Sequence, residues 1–311
     1  MVSDTPLQPQ DIHDIAGTYA LTVVSFEPID GGAANSSYAL HTQQGDYVLT
    51  VFEQKSWAEV VRIGHLLRLL ADYAFPTTRL RAPTTGGLAT KYRDKPVMVK
   101  PYIAGQVVKD LKTTMVAQVG VAMARLHQVP VPGFLPDHHS YGLDVFSEVI
   151  DRNINPAYER WLAEQRAYLA RSIPSDLPRG LIHGDVFYDN VLFEGRQFRA
   201  LIDFEEACHY YQVFDLGMAI VGLCAEGTTI ALDKASALVH GYQQVRSLAE
   251  REKETLQLFV EYAATATSFW RFWKYHIDTP TVQKADTYRQ MARLAEEVGA
   301  IAKARFWEAI F

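Results

Sequence analysis

The chain has 311 residues and a formal net charge of −6, with 48% hydrophobic and 21% charged residues. This composition is typical of ordinary globular proteins, and the length suffices for one large domain or two lobes. The surplus of acidic residues argues against a nucleic-acid binder, which would need an excess of lysine and arginine to neutralise phosphates.

The sequence carries no export or membrane signal. Its first ten residues are polar, without the basic segment and apolar stretch of a secretory signal, and no apolar run is long enough to span a bilayer. Cys208 and Cys224 show neither CxxC spacing nor a nearby His pair, so a disulfide framework or zinc site is not indicated. We expect a cytoplasmic monomer or homodimer without nucleic-acid or membrane partners.

The first strands are predicted before residue 53. Residues 21–26, 37–40 and 47–52 have strand-like composition, and turns at 31–32 and 45–46 separate them. This pattern predicts an antiparallel meander.

A helix and two further strands follow. Residues 57–72 carry apolar side chains at helical spacing, and Phe75-Pro76 ends that pattern. Short apolar runs at 87–91 and 97–102 then precede Gly105. We therefore expect a small β-rich lobe, residues 1–100, with a linker near 99–105.

Beyond residue 105 the pattern becomes mainly helical. The apolar face of the first helix consists of Leu111, Met115, Val119, Ala122 and Leu126. The exception is a strand-turn-strand stretch at 181–204, with its turn at 194–197. Residues 215–311 predict three or four helices, separated at 226–227, 248–251 and 278–280. The fold class is therefore α+β, with a large α-helical lobe at 101–311.

Residues suited to phosphoryl transfer cluster in the 181–204 stretch. Asp185 and Asn190 lie five residues apart in a loop between apolar runs, and Asp203, which we expect to be buried, follows the second run. Phosphoryl transfer needs hard oxygen ligands for a metal ion and a carboxylate that accepts the proton of the attacking hydroxyl. We therefore predict that Asn190 and Asp203 bind Mg²⁺ and that Asp185 accepts the proton.

The order and spacing match the protein-kinase pattern H-R-D-L-x-x-x-N followed by D-F-G. Gly184 stands in place of the arginine, and Glu205 in place of the last glycine. We expect His183 to orient the loop by hydrogen bonding and not to transfer protons. The alternative interpretation is structural, with turn-forming aspartates and asparagine and a packed histidine ring.

On these motifs the sequence resembles the aminoglycoside phosphotransferase and choline kinase superfamily. The signatures HGDxxxxNxL and IDFE match residues 183–192 and 202–205. The chain is most similar to the homoserine kinases of this fold, in residues 47–53, 124–127, 183–193, 214–219 and 270–273. This resemblance, which extends over nearly the whole chain, implies a protein-kinase-like bilobal fold, ATP and Mg²⁺ as cofactors, and a nucleotide-binding N-terminal lobe.

The resemblance also assigns a role to Asp215. In the homoserine kinases of this fold the matching aspartate is taken to brace the catalytic loop from the start of a helix. An ordinary helix N-cap is the alternative.

The chain departs from the protein-kinase pattern in the nucleotide-binding lobe. Thr50 stands where protein kinases place a lysine that pairs with the α- and β-phosphates, and homoserine kinases of this fold resemble the chain in this respect. A G-x-G-x-x-G loop is also missing. The candidate phosphate cover comprises small residues whose main-chain N–H groups would approach an anion, and among them are Gly31, Gly32, Asn35 and Ser36. A plain hairpin turn is the alternative.

Residues 97–102 would form the hinge between the lobes. By resemblance, their main-chain groups would contact adenine, with Tyr102 and Ile103 in the adenine pocket. A core strand followed by a turn is compatible with the same sequence.

Aromatic residues and two cations of the late helical segment suggest an acceptor site. Arg271 or Lys274 would bind the carboxylate of an amino acid such as homoserine. Trp270, Trp273 and Tyr262 would instead form an aromatic cage for choline. The structural alternative is an aromatic helix face that packs in the core.

The leading hypothesis is an ATP-dependent kinase that phosphorylates the hydroxyl of a small metabolite, with homoserine or a similar amino alcohol first. Glu205 and Asp189, which are close to the proposed base, would hold the substrate amine. A second hypothesis keeps this chemistry and changes the acceptor to choline, an aminoglycoside or a sugar. A third is a nucleotide-binding pseudokinase that regulates a partner, motivated by the missing strand lysine.

Overall fold

The computed structural model describes residues 7–29 and 35–311. The chain forms two compact units, residues 1–104 and residues 105–311. The first unit extends beyond residue 100 because the residues that follow still belong to its sheet. Pro101 pairs with Tyr47, and the main-chain N–H of Tyr102 donates to the carbonyl oxygen of Asp46 (2.9 Å).

The first unit is built on an antiparallel sheet. In chain order it contains α1 (Pro9–Thr18), β1 (Val23–Pro28), β2 (Asn35–Thr42), β3 (Gly45–Phe52), α2 (Trp57–Asp72), β4 (Thr90–Tyr92) and β5 (Lys95–Pro101). The strands lie in the order β1-β2-β3-β5-β4. The predicted meander, helix and later strands are confirmed, whereas α1 was not predicted.

The two faces of this sheet pack into separate apolar clusters. On the α1 face lie Ile12, Ile15, Leu49, Val51 and Val97. On the α2 face lie Phe52, Val60, Ile63 and Met98. Residues that face each other on neighbouring strands share a face, so Ser36, which pairs with Val51, belongs to the α1 face. Thr50, which pairs with Met98, belongs to the α2 face.

The second unit is mainly helical. Its elements are β6 (Gln106–Val107), α3 (Thr113–Leu126), α4 (Pro156–Ser172), β7 (Arg179–Ile182), β8 (Val191–Glu194), β9 (Gln197–Leu201), β10 (Cys208–Tyr211), α5 (Gln212–Cys224), β11 (Ala225–Glu226), β12 (Thr229–Ile230), α6 (Leu232–Gln243), α7 (Glu250–Trp273), α8 (Thr287–Ala300) and α9 (Lys303–Ile310). Helix α7 continues into the π-helical segment Lys274–Asp278. Within the described parts of the chain, no helix has the length and apolar character needed to cross a membrane.

The sequence predicted too few helices in this unit. It predicted three or four helices in residues 215–311, whereas α5 to α9 cover this region. The expected breaks are present, and a further one at 301–302 separates α8 from α9. Helix α4 was also missed, because few of its residues are apolar and buried.

The predicted strand-turn-strand stretch is confirmed as the β8-β9 hairpin. Its turn contains Gly195 at a φ of +57°. Strand β7 pairs instead with β10, which was not predicted. The residues between β7 and β8 are therefore held at both ends by paired strands.

Helix α5 is buried along almost its whole length and approaches its neighbours closely. A Cβ atom on Gly217 would lie 2.5 Å from the carbonyl oxygen of Phe259 in α7, and one on Gly222 would lie 2.2 Å from that of Val186. Because Val186 follows β7, α5 directly supports the segment that connects β7 to β8.

Candidate active site

The residues between β7 and β8, hereafter the 183–190 loop, begin with a conformation that requires glycine. Gly184 lies in the left-handed region at a φ of +85°. A Cβ atom there would be 2.7 Å from the carbonyl oxygen of Glu206 and 2.8 Å from Nε2 of His139. The arginine of the protein-kinase pattern would not fit at this position.

Asp215 of α5 holds the start of this loop. Its Oδ1 accepts a hydrogen bond from the main-chain N–H of Gly184 (2.7 Å), and its Oδ2 accepts one from that of His183 (3.0 Å). The bracing contact is therefore present. The N-cap alternative is wrong, because Tyr211 occupies the N-cap position of α5.

The buried charge of Asp215 is compensated by a histidine that was not among the predicted site residues. Nε2 of His127 lies 3.0 Å from Oδ2 of Asp215, and both side chains are fully buried. Burial alone would raise the pKa of Asp215, but the hydrogen bond and charge of His127 hold it below its usual range. Nδ1 of His127 lies 2.7 Å from the hydroxyl of Tyr242, so both ring nitrogens have partners.

His183 is fixed by main-chain groups on both sides of its ring. The N–H of Asp185 donates to Nδ1 (3.2 Å), so Nε2 carries the hydrogen that it donates to the carbonyl oxygen of Ile202 (2.9 Å). Neither nitrogen is available for proton transfer in this arrangement. The geometry supports an orienting role, as predicted from the sequence.

The carboxylate of Asp185 is held through both of its oxygens. Oδ1 accepts from the hydroxyl of Tyr141 (3.0 Å), and Oδ2 accepts from Nδ2 of Asn190 (3.1 Å). Burial, together with the negative charges of Asp203 and Glu206, raises the pKa of Asp185 to about 8. An acid that is oriented in this way and has a pKa near neutrality is suited to exchange a proton with a substrate hydroxyl.

The side chain of Asn190 is oriented by the same contacts. Its Nδ2 donates to both the carbonyl oxygen (2.9 Å) and Oδ2 of Asp185. Since both neighbours are acceptors, the amino group must occupy this position, and Oδ1 faces the other way. This oxygen therefore fits a hard cation such as Mg²⁺.

Asp203 lies next to Asn190 across the β8-β9 hairpin. The main-chain N–H of Ile202 donates to the carbonyl oxygen of Asn190 (2.9 Å), and Asp203 follows directly. Contrary to expectation Asp203 is exposed, because it lies just beyond the end of β9. Its φ of +65° is unusual for a residue other than glycine and costs about 1–3 kcal/mol. The oxygens of Asn190 and Asp203 together fit the protein side of a Mg²⁺ site.

Three carboxylates near the base have different surroundings. Glu206, which was not predicted, raises the pKa of Asp185 more strongly than Asp189 does, and its carboxylate accepts a hydrogen bond from the hydroxyl of Ser140. Glu205 is partly buried and Asp189 is exposed. The sequence therefore named Asp189 and Glu205 but missed Glu206, whose charge raises the pKa of the base more than that of Asp189 does.

Trp270 and Arg271, two predicted acceptor residues, are close to the 183–190 loop. The ring of Trp270 lies 6.4 Å from that of Tyr141, whose hydroxyl contacts the base. Arg271 donates from Nη1 to the carbonyl oxygen of Thr287 (3.1 Å) and to Oε1 of Gln290 (3.2 Å). Burial lowers its pKa, which the charges of Tyr188 and Asp189 in the loop partly oppose.

Two other predicted acceptor residues have structural roles instead. Lys274 is buried and its Nζ lies 2.7 Å from Oδ2 of Asp278, one turn further along the π-helical segment. Tyr262 is fully buried, and its hydroxyl contacts the hydroxyl of Tyr210 (2.9 Å) and the main-chain N–H of Leu143 (2.8 Å). The polar groups of both side chains are bound to internal partners, which does not support Lys274 as a carboxylate ligand or Tyr262 as a cage wall.

The predicted phosphate cover lies only partly within the described residues. Gly31 and Gly32 fall outside them, and Asn35 begins β2. Ser36 is buried on the α1 face, and its hydroxyl donates to Glu53 (2.6 Å), which also pairs with Lys95. Protein kinases place their phosphate-binding lysine at the position of Thr50, on the α2 face. The side chain of Ser36 points to the opposite face, so its hydroxyl does not face the position of that lysine. Its predicted role depends on the main-chain N–H group and stays a prediction.

The predicted hinge residues differ in their exposure. Tyr102 is exposed and Ile103 is partly buried. The main-chain N–H of Tyr102 donates to Asp46, so this group is not available to adenine. For this N–H, which completes the sheet, the structure does not support the expectation that residues 97–102 offer main-chain groups to adenine.

Comparisons with known proteins agree with the fold. The profile of the phosphotransferase enzyme family matches residues 25–252. A homoserine kinase of Gluconobacter oxydans (strain 621H) is 30% identical over 305 residues, which cover 93% of this chain and 96% of the relative.

Two solved structures share the fold at low sequence identity. Spectinomycin phosphotransferase APH(9)-Ia, in complex with ADP and spectinomycin, has a TM-score of 0.69 and 15% identity, with 95% of this chain and 99% of that chain covered. The microcompartment-associated aminopropanol kinase has a TM-score of 0.71 and 17% identity, with 93% and 95% covered. The predicted α+β, protein-kinase-like fold is confirmed.

The fold and the matching relatives define a small-molecule kinase. The family profile covers well over half of the chain, and the homoserine kinase relative aligns along nearly all of it. The chain belongs to the phosphotransferase enzyme family.

Proposed function

We propose that this enzyme transfers the γ-phosphoryl group of ATP to the hydroxyl of a small amino alcohol that carries a carboxylate, with homoserine as the first candidate. The observation that carries the acceptor class is Arg271, a partly buried guanidinium with no carboxylate at ion-pair distance in the described part of the chain. Removing a cation from water is costly unless an anion neutralises it. A substrate carboxylate would do so through paired hydrogen bonds.

In the proposed reaction Asp185 accepts the proton of the acceptor hydroxyl. The hydroxyl oxygen bonds to the γ-phosphorus while the bond between this phosphorus and the ADP oxygen breaks, and the proton later leaves Asp185 for solvent. Tyr141 and Asn190 already orient the carboxylate, so little freedom would be lost when the acceptor binds. Such prior orientation is a major source of rate enhancement.

Asn190 and Asp203 would hold Mg²⁺, which when bound would neutralise charge on the phosphates. Two protein ligands suit this ion, because phosphate oxygens and water complete its shell. In the described residues there is no group of three or more His, Cys, Asp or Glu side chains that would hold a metal by themselves. The ADP bound to the spectinomycin phosphotransferase supports ATP as the donor.

A second candidate acceptor is an amino alcohol without a carboxylate. The rings of Trp270 and Tyr275 lie 6.1 Å apart, and Trp270 also neighbours Tyr141, so aromatic faces are present for an ammonium group. The aminopropanol kinase neighbour supports this class. With either acceptor, negative charge near the base would come from the carboxylates of Asp189, Glu205 and Glu206.

The acceptor is tested by measuring ADP release with homoserine, 2-aminobutane-1,4-diol, choline and kanamycin. The diol has the length of homoserine, with a hydroxymethyl group in place of the carboxylate. We expect homoserine to give the highest kcat/KM. Lack of ADP release with every acceptor would refute the proposal, and a preference for choline or the diol would favour the second candidate.

The role of Arg271 is tested by Arg271→Met. We expect the KM for homoserine to rise about 10- to 100-fold, since a charged hydrogen-bonded contact is lost, while the KM values for ATP and the diol stay within about twofold. Arg289→Met is the control, because its guanidinium pairs with Asp286 on the surface of α8. Equal effects on homoserine and the diol would contradict a carboxylate-binding role.

A further inference from the structure

The segment His139–Tyr141, which no sequence motif indicated, contacts the 183–190 loop and the residues after β9. Nε2 of His139 lies 3.0 Å from the carbonyl oxygen of Gly184, and the hydroxyl of Ser140 donates to Glu206. The hydroxyl of Tyr141 lies 3.0 Å from Oδ1 of Asp185. Three consecutive side chains thus contact the surroundings of the base from one side.

The hydroxyl hydrogen of Tyr141 is directed to Asp185. The same hydroxyl also lies 3.2 Å from the carbonyl oxygen of Gly184, but that oxygen already accepts from His139. The main-chain N–H of Tyr141 points at Nδ1 of His139 (3.4 Å), so Nε2 carries the hydrogen of this ring. Burial keeps the pKa of His139 below its usual range, which favours this neutral form.

The ring of Tyr141 has little freedom to move. It is buried and lies edge-on to the ring of His139, with 4.2 Å between the ring centres. The ring of Trp270 is a further neighbour, with 6.4 Å between the ring centres. A hydroxyl on a fixed ring defines the position of its acceptor more strictly than one on a mobile side chain.

Two donors therefore define the plane of the Asp185 carboxylate. Tyr141 holds Oδ1, and Asn190 holds Oδ2. If the Tyr141 contact were lost, the carboxylate would retain one anchor and would rotate about it. A base that must meet a hydroxyl at hydrogen-bond distance would then spend less time in the productive orientation.

We propose that Tyr141 is a positioning residue for the phosphoryl-transfer reaction, which acts by fixing the orientation of Asp185. This inference rests on the proposed role of Asp185 as the base, but it is independent of which acceptor is used. Tyr141 also joins the base to Trp270, so an acceptor packed against that ring would find the carboxylate already oriented.

The test is Tyr141→Phe, which removes the hydroxyl and keeps the ring. We expect kcat to fall about 10- to 100-fold, as for a misplaced catalytic group, with KM values for ATP and acceptor within about twofold. Tyr158→Phe is the matched control, because it removes the hydroxyl of another buried tyrosine, hydrogen-bonded to Ser268 (3.0 Å). We expect this control to lower Tm by a similar amount and to keep kcat unchanged.

A double-mutant cycle provides the second measurement. If Tyr141 acts through Asp185, Tyr141→Phe should reduce the residual turnover of Asp185→Asn by less than about twofold. Additive losses, or an unchanged kcat in Tyr141→Phe, would overturn the inference. Absence of turnover in the wild-type protein with every amino alcohol would instead refute the proposed function. Failure of the proposed function can therefore be distinguished from failure of the proposed role of Tyr141.

Discussion

Oδ1 of Asp215 lies 2.7 Å from the main-chain nitrogen of Gly184, although the two residues belong to different elements of the second unit. Asp215 lies on α5, and Gly184 follows β7. Because α5 is buried, the hydrogen bonds of this carboxylate fix the start of the 183–190 loop to a well-packed helix. Since Asp185 follows Gly184 directly, this contact helps to set the position of the proposed base.

We predict that Asp215→Ala lowers the free energy of unfolding by about 3–5 kcal/mol, because it leaves the buried His127 and two main-chain N–H groups without their acceptor. Turnover should fall together with stability. Urea denaturation and ADP release measure the two effects. The exposed Asp233 of α6 gives the control variant Asp233→Ala, and equal stability of the two variants would contradict the bracing role.

Gly184→Ala should be far more harmful than an alanine at another glycine with positive φ. The new Cβ would be 2.7 Å from the carbonyl oxygen of Glu206, so the loop has to move. We expect loss of turnover and a Tm lowered by several degrees. Gly195→Ala is the control, because its φ is +57° and no atom lies within 4 Å of the added Cβ. Gly195→Ala should lose only about 1 kcal/mol of stability and retain activity. Similar effects of the two variants would contradict the proposed clash of the new Cβ at residue 184 with its neighbours.

Asp185→Asn should lose almost all turnover, keep only a small residual rate and leave nucleotide binding intact. It should also make the protein without ligands more stable at alkaline pH. The folded-state pKa of Asp185 is about 8, above its ordinary value of 3.8, so stability falls in the wild type as the pH rises between these values. An asparagine side chain at this position would not ionise in this range, so the Asp185→Asn variant should not lose stability from this cause.

Thermal unfolding of Asp185→Asn and wild type, from pH 5 to pH 8.5, measures this difference. We expect the Tm advantage of the variant to grow with pH. Asp72→Asn, at an exposed site in α2, should show no such trend. Near-normal turnover in Asp185→Asn would refute the assignment of the base.

The features that the sequence predicted correctly depend on local patterns. Apolar runs on either side of turn-forming residues indicated the β8-β9 hairpin. The five-residue interval between Asp185 and Asn190 places both side chains in one loop, where they can hydrogen-bond to each other. The pairing of Lys274 with Asp278 was also readable, since residues four apart on a helix are neighbours.

The features that were missed depend on contacts between distant segments. Tyr141 reaches Asp185 across 44 residues of sequence, and His127 reaches Asp215 across 88. Nothing in the local sequence around Tyr141 distinguishes it from other buried tyrosines. The face on which Ser36 lies is likewise set by strand register, because a shift of one residue would reverse it.

Glu261 is a buried carboxylate of α7 that has no role in the proposed reaction. A Cβ on Gly299 of α8 would lie 3.2 Å from its carboxyl carbon, so α8 approaches it closely. Burial raises the pKa of Glu261 from 4.5 to about 7. The folded protein therefore retains a proton that the unfolded chain has lost, and stability should decrease as the pH rises from 4.5 to 7.

Glu261→Gln removes this ionisation while it keeps the size of the side chain. We expect its Tm to exceed that of the wild type by a few degrees at pH 8, with a smaller difference at pH 5.5 and a constant one above about pH 7.5. The exposed Glu296 of α8 gives the control variant Glu296→Gln. Because Glu261 has no role in the proposed reaction, Glu261→Gln should leave kcat unchanged. A Tm difference between the variant and the wild type that is the same at pH 5.5 and pH 8 would show that burial does not destabilise the carboxylate.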